Sequence, residues 1–322
     1  MTPADDARWM GAALALGERG RGRTAPNPCV ACVIVQAGCV VGRGWTQAGG
    51  RPHAEAMALA EAGDAARGAT AYVTLEPCAL PGRGPACADL LVAAKVARVV
   101  AAIQDPHHRV DGSGFESLTR AGIALSIGVR GADAEASMIG FLTRQRLDRP
   151  AVTLKLATSL DGAIATASGE SQWITGPEAR AHTHLERARH DAILVGRGTF
   201  DADAPRLDVR LPGLEDRAPR RVLLSRTAAP EGWTVIASPA DIATLEGVNE
   251  LLVEGGAATA AAFLAADLVD RLLLYRAPIL IGAGKAALGD IGLGTLAEAH
   301  GRWRLVDSRM LGSDRLDAYV RA

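Results

Sequence analysis

His53-Ala54-Glu55-Ala56-Met57-Ala58-Leu59-Ala60-Glu61-Ala62-Gly63, then Ala71-Tyr72-Val73-Thr74-Leu75-Glu76-Pro77-Cys78, and then Cys87 form the stretch that decides the fold. No Gly or Pro interrupts Ala54 to Ala62, so it reads as a helix, with Gly63 as its stop. Pro52 suits the first turn of that helix, which sets His53 and Glu55 at its N-terminus. Ala71 to Leu75 reads as a strand, leaving Cys78 on the loop after it. Ala86 to Ala94 reads as the next helix, with Cys87 in its first turn. Helix, strand and helix in succession make an α/β pattern. One His and two Cys are a three-ligand zinc set that leaves the fourth tetrahedral position for a water. Helix N-termini favour the negative charge of thiolates, which suits metal binding there.

Blander readings compete with this one. A buried Cys is most often a small hydrophobe, and a lone His is most often a core or surface residue. A structural zinc would want a fourth protein ligand. The order H-x-E, then P-C, then a further Cys favours a catalytic zinc, because it is the signature of zinc deaminases, whose Glu moves protons and is not a ligand. Here eight residues separate Cys78 from Cys87, more than in the short form of that signature. Cys29 and Cys32 form a second C-x-x-C, but they lie on an apolar strand pattern, where residues three apart face opposite sides. Core packing is the expectation for Cys29, Cys32 and Cys39.

Further out, 322 residues suffice for two domains. A net charge of −1 argues against nucleic acid as a partner. The longest apolar run, Ala257 to Ala266, is too short for a bilayer. Five cysteines with no signal-peptide pattern at Met1-Thr-Pro-Ala-Asp-Asp point to a reducing cytoplasm. The first half reads as a helix near Ala7 to Glu18, a hairpin of Cys29–Val35 and Cys39–Trp45, the zinc helix, and strands at Ala71–Leu75 and Ala97–Ile103. A weaker helix–strand pair runs to Ile127. Arg144 to Pro150 is polar and proline-ended, so the domain boundary is expected there, with a fresh strand over Ala151 to Leu156. The second half has no G-x-G-x-x-G: Gly196-Arg197-Gly198 runs into Thr199, Phe200 and Asp201, so a Rossmann site is unsupported.

Taken together, the motifs make the chain resemble the bifunctional riboflavin-biosynthesis deaminase–reductases. Besides the zinc motif they include Pro26-Asn27-Pro28, Gly82-Arg83, Pro85 and Gln104-Asp105-Pro106. In the second half come Leu154-Lys155, Ser159-Leu160-Asp161-Gly162, Ser168-Gly169-Glu170-Ser171-Gln172-Trp173-Ile174-Thr175, Val253-Glu254-Gly255-Gly256 and Ala277-Pro278. The long spacing to Cys87 is also this family's habit. The resemblance implies a cytidine-deaminase-like, three-layer α/β domain over residues 1–147 and a dihydrofolate-reductase-like α/β domain over residues 151–322. It implies zinc-dependent deamination of a diaminopyrimidinone ribosylamino 5′-phosphate, then NADPH reduction of its ribose to a ribityl chain. His53, Cys78 and Cys87 would hold Zn2+, Glu55 would transfer protons, Asn27 would meet the pyrimidine and Arg83 the phosphate. Ala157, Trp173, Thr199, Asp203, Ser225 and the loop from Gly256 would contact NADPH, with Gly196-Arg197-Gly198-Thr199 as a cofactor loop. Ser171, Arg187, Leu207, Arg210 and Glu254 would contact the second substrate, with Lys155 ahead of Asp203 as the polar group nearest the reduction. A homo-oligomer is implied too.

Some positions depart from the family pattern. Its Ser-His after the first Cys is Ala79-Leu80 here, and a following Thr is Gly84. Its Asp-Asp/Asn-Pro is Asp203-Ala204-Pro205, and its next Thr is Asp208, an extra carboxylate near a phosphate site. Taken residue by residue, the alternatives are that Arg187 is a solvated helix residue, Trp173 core, and the arginines from Arg206 to Arg226 a charged loop, with the functional reading preferred at the matched positions. Two other functions remain open on the residues: a deaminase of a nucleoside or RNA base with an inert second domain, and a zinc-stabilised binding protein.

Overall fold

A computed structural model describes residues 2–81, 84–107, 109–228 and 230–322. The chain divides into two compact units, Met1–Asp148 and Arg149–Ala322.

In the first unit the strands are β1 (Ala31–Gln36), β2 (Cys39–Trp45), β3 (Thr70–Val73), β4 (Arg98–Ala101) and β5 (Ala124–Ile127), in the order β2-β1-β3-β4-β5. The β1–β2 hairpin and the β1–β3 pair are antiparallel, whereas β3, β4 and β5 run parallel. The helices are α1 (Pro3–Gly17), α2 (Ala54–Ala62), α3 (Cys87–Ala93), α4 (Ser113–Arg120), α5 (Gly131–Ser137) and α6 (Ile139–Leu147). Helix α2 touches β1 and β2 and neighbours α3, which neighbours α4. Helix α1 touches β1 and β3 and neighbours α5. Gly44 lets α2 lie so close, since a Cβ there would sit 2.3 Å from the Ala54 carbonyl oxygen.

Several boundaries differ from expectation. Helix α1 starts at Pro3 because Thr2 caps it. The Thr2 hydroxyl accepts from Asp5 N, and the Asp5 carboxylate accepts from Thr2 N at 2.9 Å. Helix α2 runs from Ala54 to Ala62, but His53 is its cap residue and Pro52 precedes that cap. Cys29 and Cys32 are buried as expected, whereas Cys39 is exposed, because β2 begins at the outer edge of the sheet. The expected boundary segment is helical as far as Leu147, where Asp148 at φ 52° ends α6. Buried Met138, Phe141 and Leu142 hold that last helix in place.

In the second unit one sheet contains eight strands: β6 (Ala151–Thr158), β8 (Ala192–Gly196), β9 (Arg220–Leu224), β10 (Thr234–Ile236), β11 (Glu250–Val253), β12 (Arg271–Arg276), β14 (Trp303–Leu311) and β15 (Asp314–Arg321). Their order is β10-β9-β8-β11-β6-β12-β15-β14, parallel from β10 to β12 and antiparallel beyond. A short pair, β7 (Ala163–Ala165) with β13 (Lys285–Ala286), is separate. Helices α7 (Pro177–Ala188), α8 (Arg197–Asp203) and α9 (Ala257–Ala265) complete the unit. Strand β6 is central, between β11 and β12, and its apolar residues Val152 and Leu154 are fully buried, as a doubly flanked strand requires. Gly196-Arg197-Gly198-Thr199 is not a loop: Gly196 ends β8 and α8 begins at Arg197. Among the described residues no helix is long and apolar enough to cross a membrane.

Candidate functional site

In the first unit, the end of β3 and the starts of α2 and α3 bring the three ligand candidates together. His53 caps α2, Cys87 opens α3 and Cys78 lies on the loop after β3. The Sγ atoms of Cys78 and Cys87 lie 3.7 and 3.3 Å from His53 Nδ1, and all three ligand atoms fall within 4.8 Å of one another. A tetrahedral zinc with sulfur and nitrogen ligands sets them about 3.5 Å apart, so the residues fit that metal. The Cys87 amide also donates to Cys78 Sγ at 3.4 Å, as a thiolate at a helix N-terminus would favour. Hydrogen bonds from Cys87 and His53 draw Cys78 down to about 4, while the same bond and burial push Cys87 up.

Glu55 lies in the first turn of α2 and is 3% exposed. Burial, and then the neighbouring Cys78 thiolate, raise its carboxyl to about 7. A carboxyl poised there can both take and return a proton at neutral pH. Asn27 Nδ2 donates to the Gly50 carbonyl at 2.9 Å and lies 3.4 Å from His53 Nε2, so its amide flanks the outer edge of the ligand ring. Arg83 lies outside the described residues. Leu80 is 39% exposed, so its apolar side chain is not buried in the core.

Glu76, to which the sequence reading gave no role, holds the cysteine loop. Its buried carboxylate accepts from Asp105 N at 3.2 Å, Gly112 N at 3.0 Å and Gly114 N at 2.8 Å. It thereby ties the loop ahead of α4 to Pro77 and Cys78. The signal was a carboxylate inside an otherwise apolar strand-to-loop run, where only buried donors could satisfy it.

In the second unit a cavity of about 750 Å3 collects most of the residues that the resemblance pointed to. Lys155, Ala157, Ser171, Trp173, Arg187, Thr199, Asp203, Leu207, Arg210, Glu254 and Gly256 all line it. Ser225 does not: its hydroxyl accepts from Arg197 Nε at 3.1 Å and from Thr227 N at 3.0 Å, which ties α8 to the loop after β9. Leu207 touches the cavity, but its side chain is 4% exposed and packs with Ile193, Val195, Leu223 and Leu252. Trp173 is 63% exposed and therefore not core. The Arg180 guanidinium sits 4.9 Å from its ring centre. Thr199 Oγ1 accepts from Gly256 N at 3.1 Å, linking the start of α8 to the loop before α9.

The floor of this cavity is charged. Arg187 grips Glu254 with two hydrogen bonds of 2.7 and 2.8 Å, and Lys155 Nζ lies 4.0 Å from the same carboxylate. Arg187 is consequently no solvated helix residue; its side chain is 12% exposed. Burial alone would raise Glu254, but Arg187 and then Lys155 outweigh it and hold the carboxyl at about 2. Burial lowers Lys155 from its ordinary value, partly opposed by Glu254. On α7 the resemblance points to Arg187 alone, yet Arg180, Thr183 and His184 line the cavity with it. Their three- and four-residue spacing on one helix was the available signal.

Comparison with known proteins covers both units. Residues 3–103 match the model of the cytidine and deoxycytidylate deaminase zinc-binding region, and residues 150–245 and 240–316 match that of the RibD C-terminal domain. The chain is similar to riboflavin biosynthesis protein RibD of Escherichia coli (strain K12), 41% identical over 96% of this chain and 97% of that one. It is 38% identical to RibD of Mycobacterium tuberculosis (strain ATCC 25618 / H37Rv), over 97% and 96% of the two chains. Among solved structures, Acinetobacter baumannii RibD aligns over all of both chains at a TM-score of 0.88 with 36% identity. A diaminohydroxyphosphoribosylaminopyrimidine deaminase/5-amino-6-(5-phosphoribosylamino)uracil reductase from Thermotoga maritima aligns over 99% of each chain, with a TM-score of 0.89 and 29% identity.

Proposed function

The chain belongs to the RibD family of riboflavin-biosynthesis proteins, and from that premise we propose that it catalyses two successive steps. Its first unit deaminates 2,5-diamino-6-ribosylamino-4(3H)-pyrimidinone 5′-phosphate. Its second unit uses NADPH to reduce the ribose of the product to a ribityl chain. One observation carries this reading: His53 Nδ1 and the thiols of Cys78 and Cys87 converge at zinc-ligand spacing beside a buried carboxyl, Glu55.

Zinc bound by His53, Cys78 and Cys87 supplies the Lewis acidity that makes water nucleophilic at neutral pH. Glu55 takes a proton from the attacking water as the C–O bond forms and returns one to the departing nitrogen as the C–N bond breaks, releasing ammonia. Burial, which raises this carboxyl above the ordinary range, suits both halves of that exchange. Asn27 borders the ligand His53 and is assigned to the pyrimidine edge, and Arg83 to the phosphate. The Asn27 hydrogen bond to the Gly50 carbonyl holds that amide beside the ligand.

In the second unit NADPH, when bound, supplies the reducing equivalent. Ala157, Trp173, Thr199, Asp203 and Gly256 line the cavity where it is assigned. Ser225, outside the lining, is assigned to the same cofactor through the loop it anchors. Ser171, Arg187, Leu207, Arg210 and Glu254 are assigned to the phosphorylated substrate, Leu207 through its backbone because its side chain is core. Lys155 is the proton donor to the sugar oxygen. Burial and the nearby Arg187 weaken its hold on that proton.

The second unit's own family match speaks against a deaminase of nucleosides or RNA with an inert partner domain. Among the described residues three ligand candidates converge beside Glu55 and no fourth joins them, which speaks against a non-catalytic binding protein. We place the enzyme in the cytoplasm as a homo-oligomer. Glu55→Gln tests the deaminase assignment. Ammonia release should fall at least a thousandfold with zinc content unchanged; near-normal release would remove Glu55 from the proton path.

A further inference from the structure

Asp208, which itself lies outside the cavity lining, puts a negative charge between two arginines that belong to it. Its Oδ2 lies 2.9 Å from Arg206 Nη2, and its Oδ1 lies 3.3 Å from Arg210 Nε. Both arginines line the cavity. Oδ1 is buried yet makes no hydrogen bond, so the guanidinium of Arg210 is attracted to it without being aligned with it.

The segment is held so that this carboxylate stays in place. Arg187 Nη1 donates to the Asp208 carbonyl at 3.1 Å, and His184 Nδ1 lies 3.1 Å from the same oxygen and 3.3 Å from Arg210 N. On the other side Leu207, at φ 53°, is packed into the core. Asp208 is therefore pinned through its backbone from α7 and through its neighbour from the sheet.

We propose that Asp208 is a built-in competitor for the phosphate of the second substrate. It occupies the Arg206–Arg210 pair in the free enzyme and must be displaced, or be opposed at close range, when a phosphorylated sugar enters. The inference rests on assigning this cavity to a phosphoribosyl substrate. The carboxylate weakens binding of the charged end while leaving the neutral sugar unaffected. Arg206 and Arg210 are 80% and 57% exposed, so the effect is screened and shrinks as salt rises. A residue that merely held Arg210 in position would have the opposite sign, since its loss would loosen the arginine and weaken binding.

The test is calorimetric titration of the full chain with ribose 5-phosphate and with ribose. Asp208→Asn, and Asp208→Thr as a second variant, should each bind ribose 5-phosphate about tenfold more tightly at low salt, with binding of ribose unchanged. The gain should shrink in the Asp208→Asn/Arg210→Met double variant, which ties it to this pair and away from the deaminase unit. Unchanged or weaker binding, or a gain undiminished in the double variant, would overturn the proposal. NADPH oxidation by the same preparations separates the two levels. If the parent enzyme lacked it while the ribose 5-phosphate gain held, the reductase assignment would fall and the competitor role would stand.

Discussion

Glu254→Gln removes the one carboxylate that neutralises two buried cations. In the native cavity Arg187 donates to it at 2.7 and 2.8 Å and Lys155 lies 4.0 Å away, all three side chains being at least four-fifths buried. The glutamine keeps the shape but leaves Arg187 and Lys155 facing each other without the carboxylate that both approach. Two routes give the cost. Breaking a buried pair by removing one partner costs about 3–5 kcal/mol. Independently, lowering Glu254 from its ordinary 4.5 to about 2 corresponds to about 3 kcal/mol of native-state preference for the ionised form. Because the folded value is the lower one, this contribution is complete above pH 4.5 and is lost as pH falls from 4.5 toward 2. At about 2–4 °C per kcal/mol for a unit of this size, the variant's second unit should melt roughly 6–12 °C lower at pH 7. Differential scanning calorimetry measures the shift without forcing the whole chain into one two-state transition. The gap between parent and variant should narrow as pH falls below 4.5. A shift under about 2 °C at pH 7, or a gap that does not narrow in acid, would refute the view that Glu254 is held ionised by its two cations.

Two further substitutions probe the first unit. Gly114→Ala would set a Cβ 1.9 Å from the Pro77 carbonyl oxygen and 3.0 Å from Glu76 Oε1. The displaced cysteine loop should cost about 3 kcal/mol and reduce bound zinc, measured by denaturant unfolding and metal analysis. Cys87→Ser removes one thiolate ligand and should bring zinc content down and abolish ammonia release. Oxidation of NADPH by the already deaminated intermediate should be unaffected.

Much of the first site could be read from residue order, because its chemistry is carried by short, local spacings. His53, Glu55, Cys78 and Cys87 each sit at a helix start or just past a strand, where apolar periodicity and Gly63 mark the elements clearly. What escaped reading depends on partners distant in sequence. Glu76 looks like a motif residue until the amides of Asp105, Gly112 and Gly114 come to it. The capping box of Thr2 and Asp5 starts the first helix at Pro3 rather than near Ala7, a local signal that the apolar pattern behind it does not carry. Helices α5 and α6 carry mixed alanines, charges and glycines with little apolar periodicity, and only buried contacts through Met138, Phe141 and Leu142 define them. In the second unit no local motif announces a cofactor site. Its cavity is assembled from β6, α7, α8 and the ends of β8 and β11, so its residues were nameable only through a resemblance. Even that route missed where Ser225 points its hydroxyl, and the clamp of Arg206 and Arg210 on Asp208.

The most direct measurement of the two-step account is a coupled assay on zinc-loaded protein. The diaminopyrimidinone ribosylamino phosphate is supplied with and without NADPH, and ammonia and the cofactor's absorbance are followed together. The account requires ammonia in both cases, with NADPH consumed only after deaminated product has formed. Ammonia with no NADPH consumption, or NADPH consumption that precedes ammonia, would contradict it.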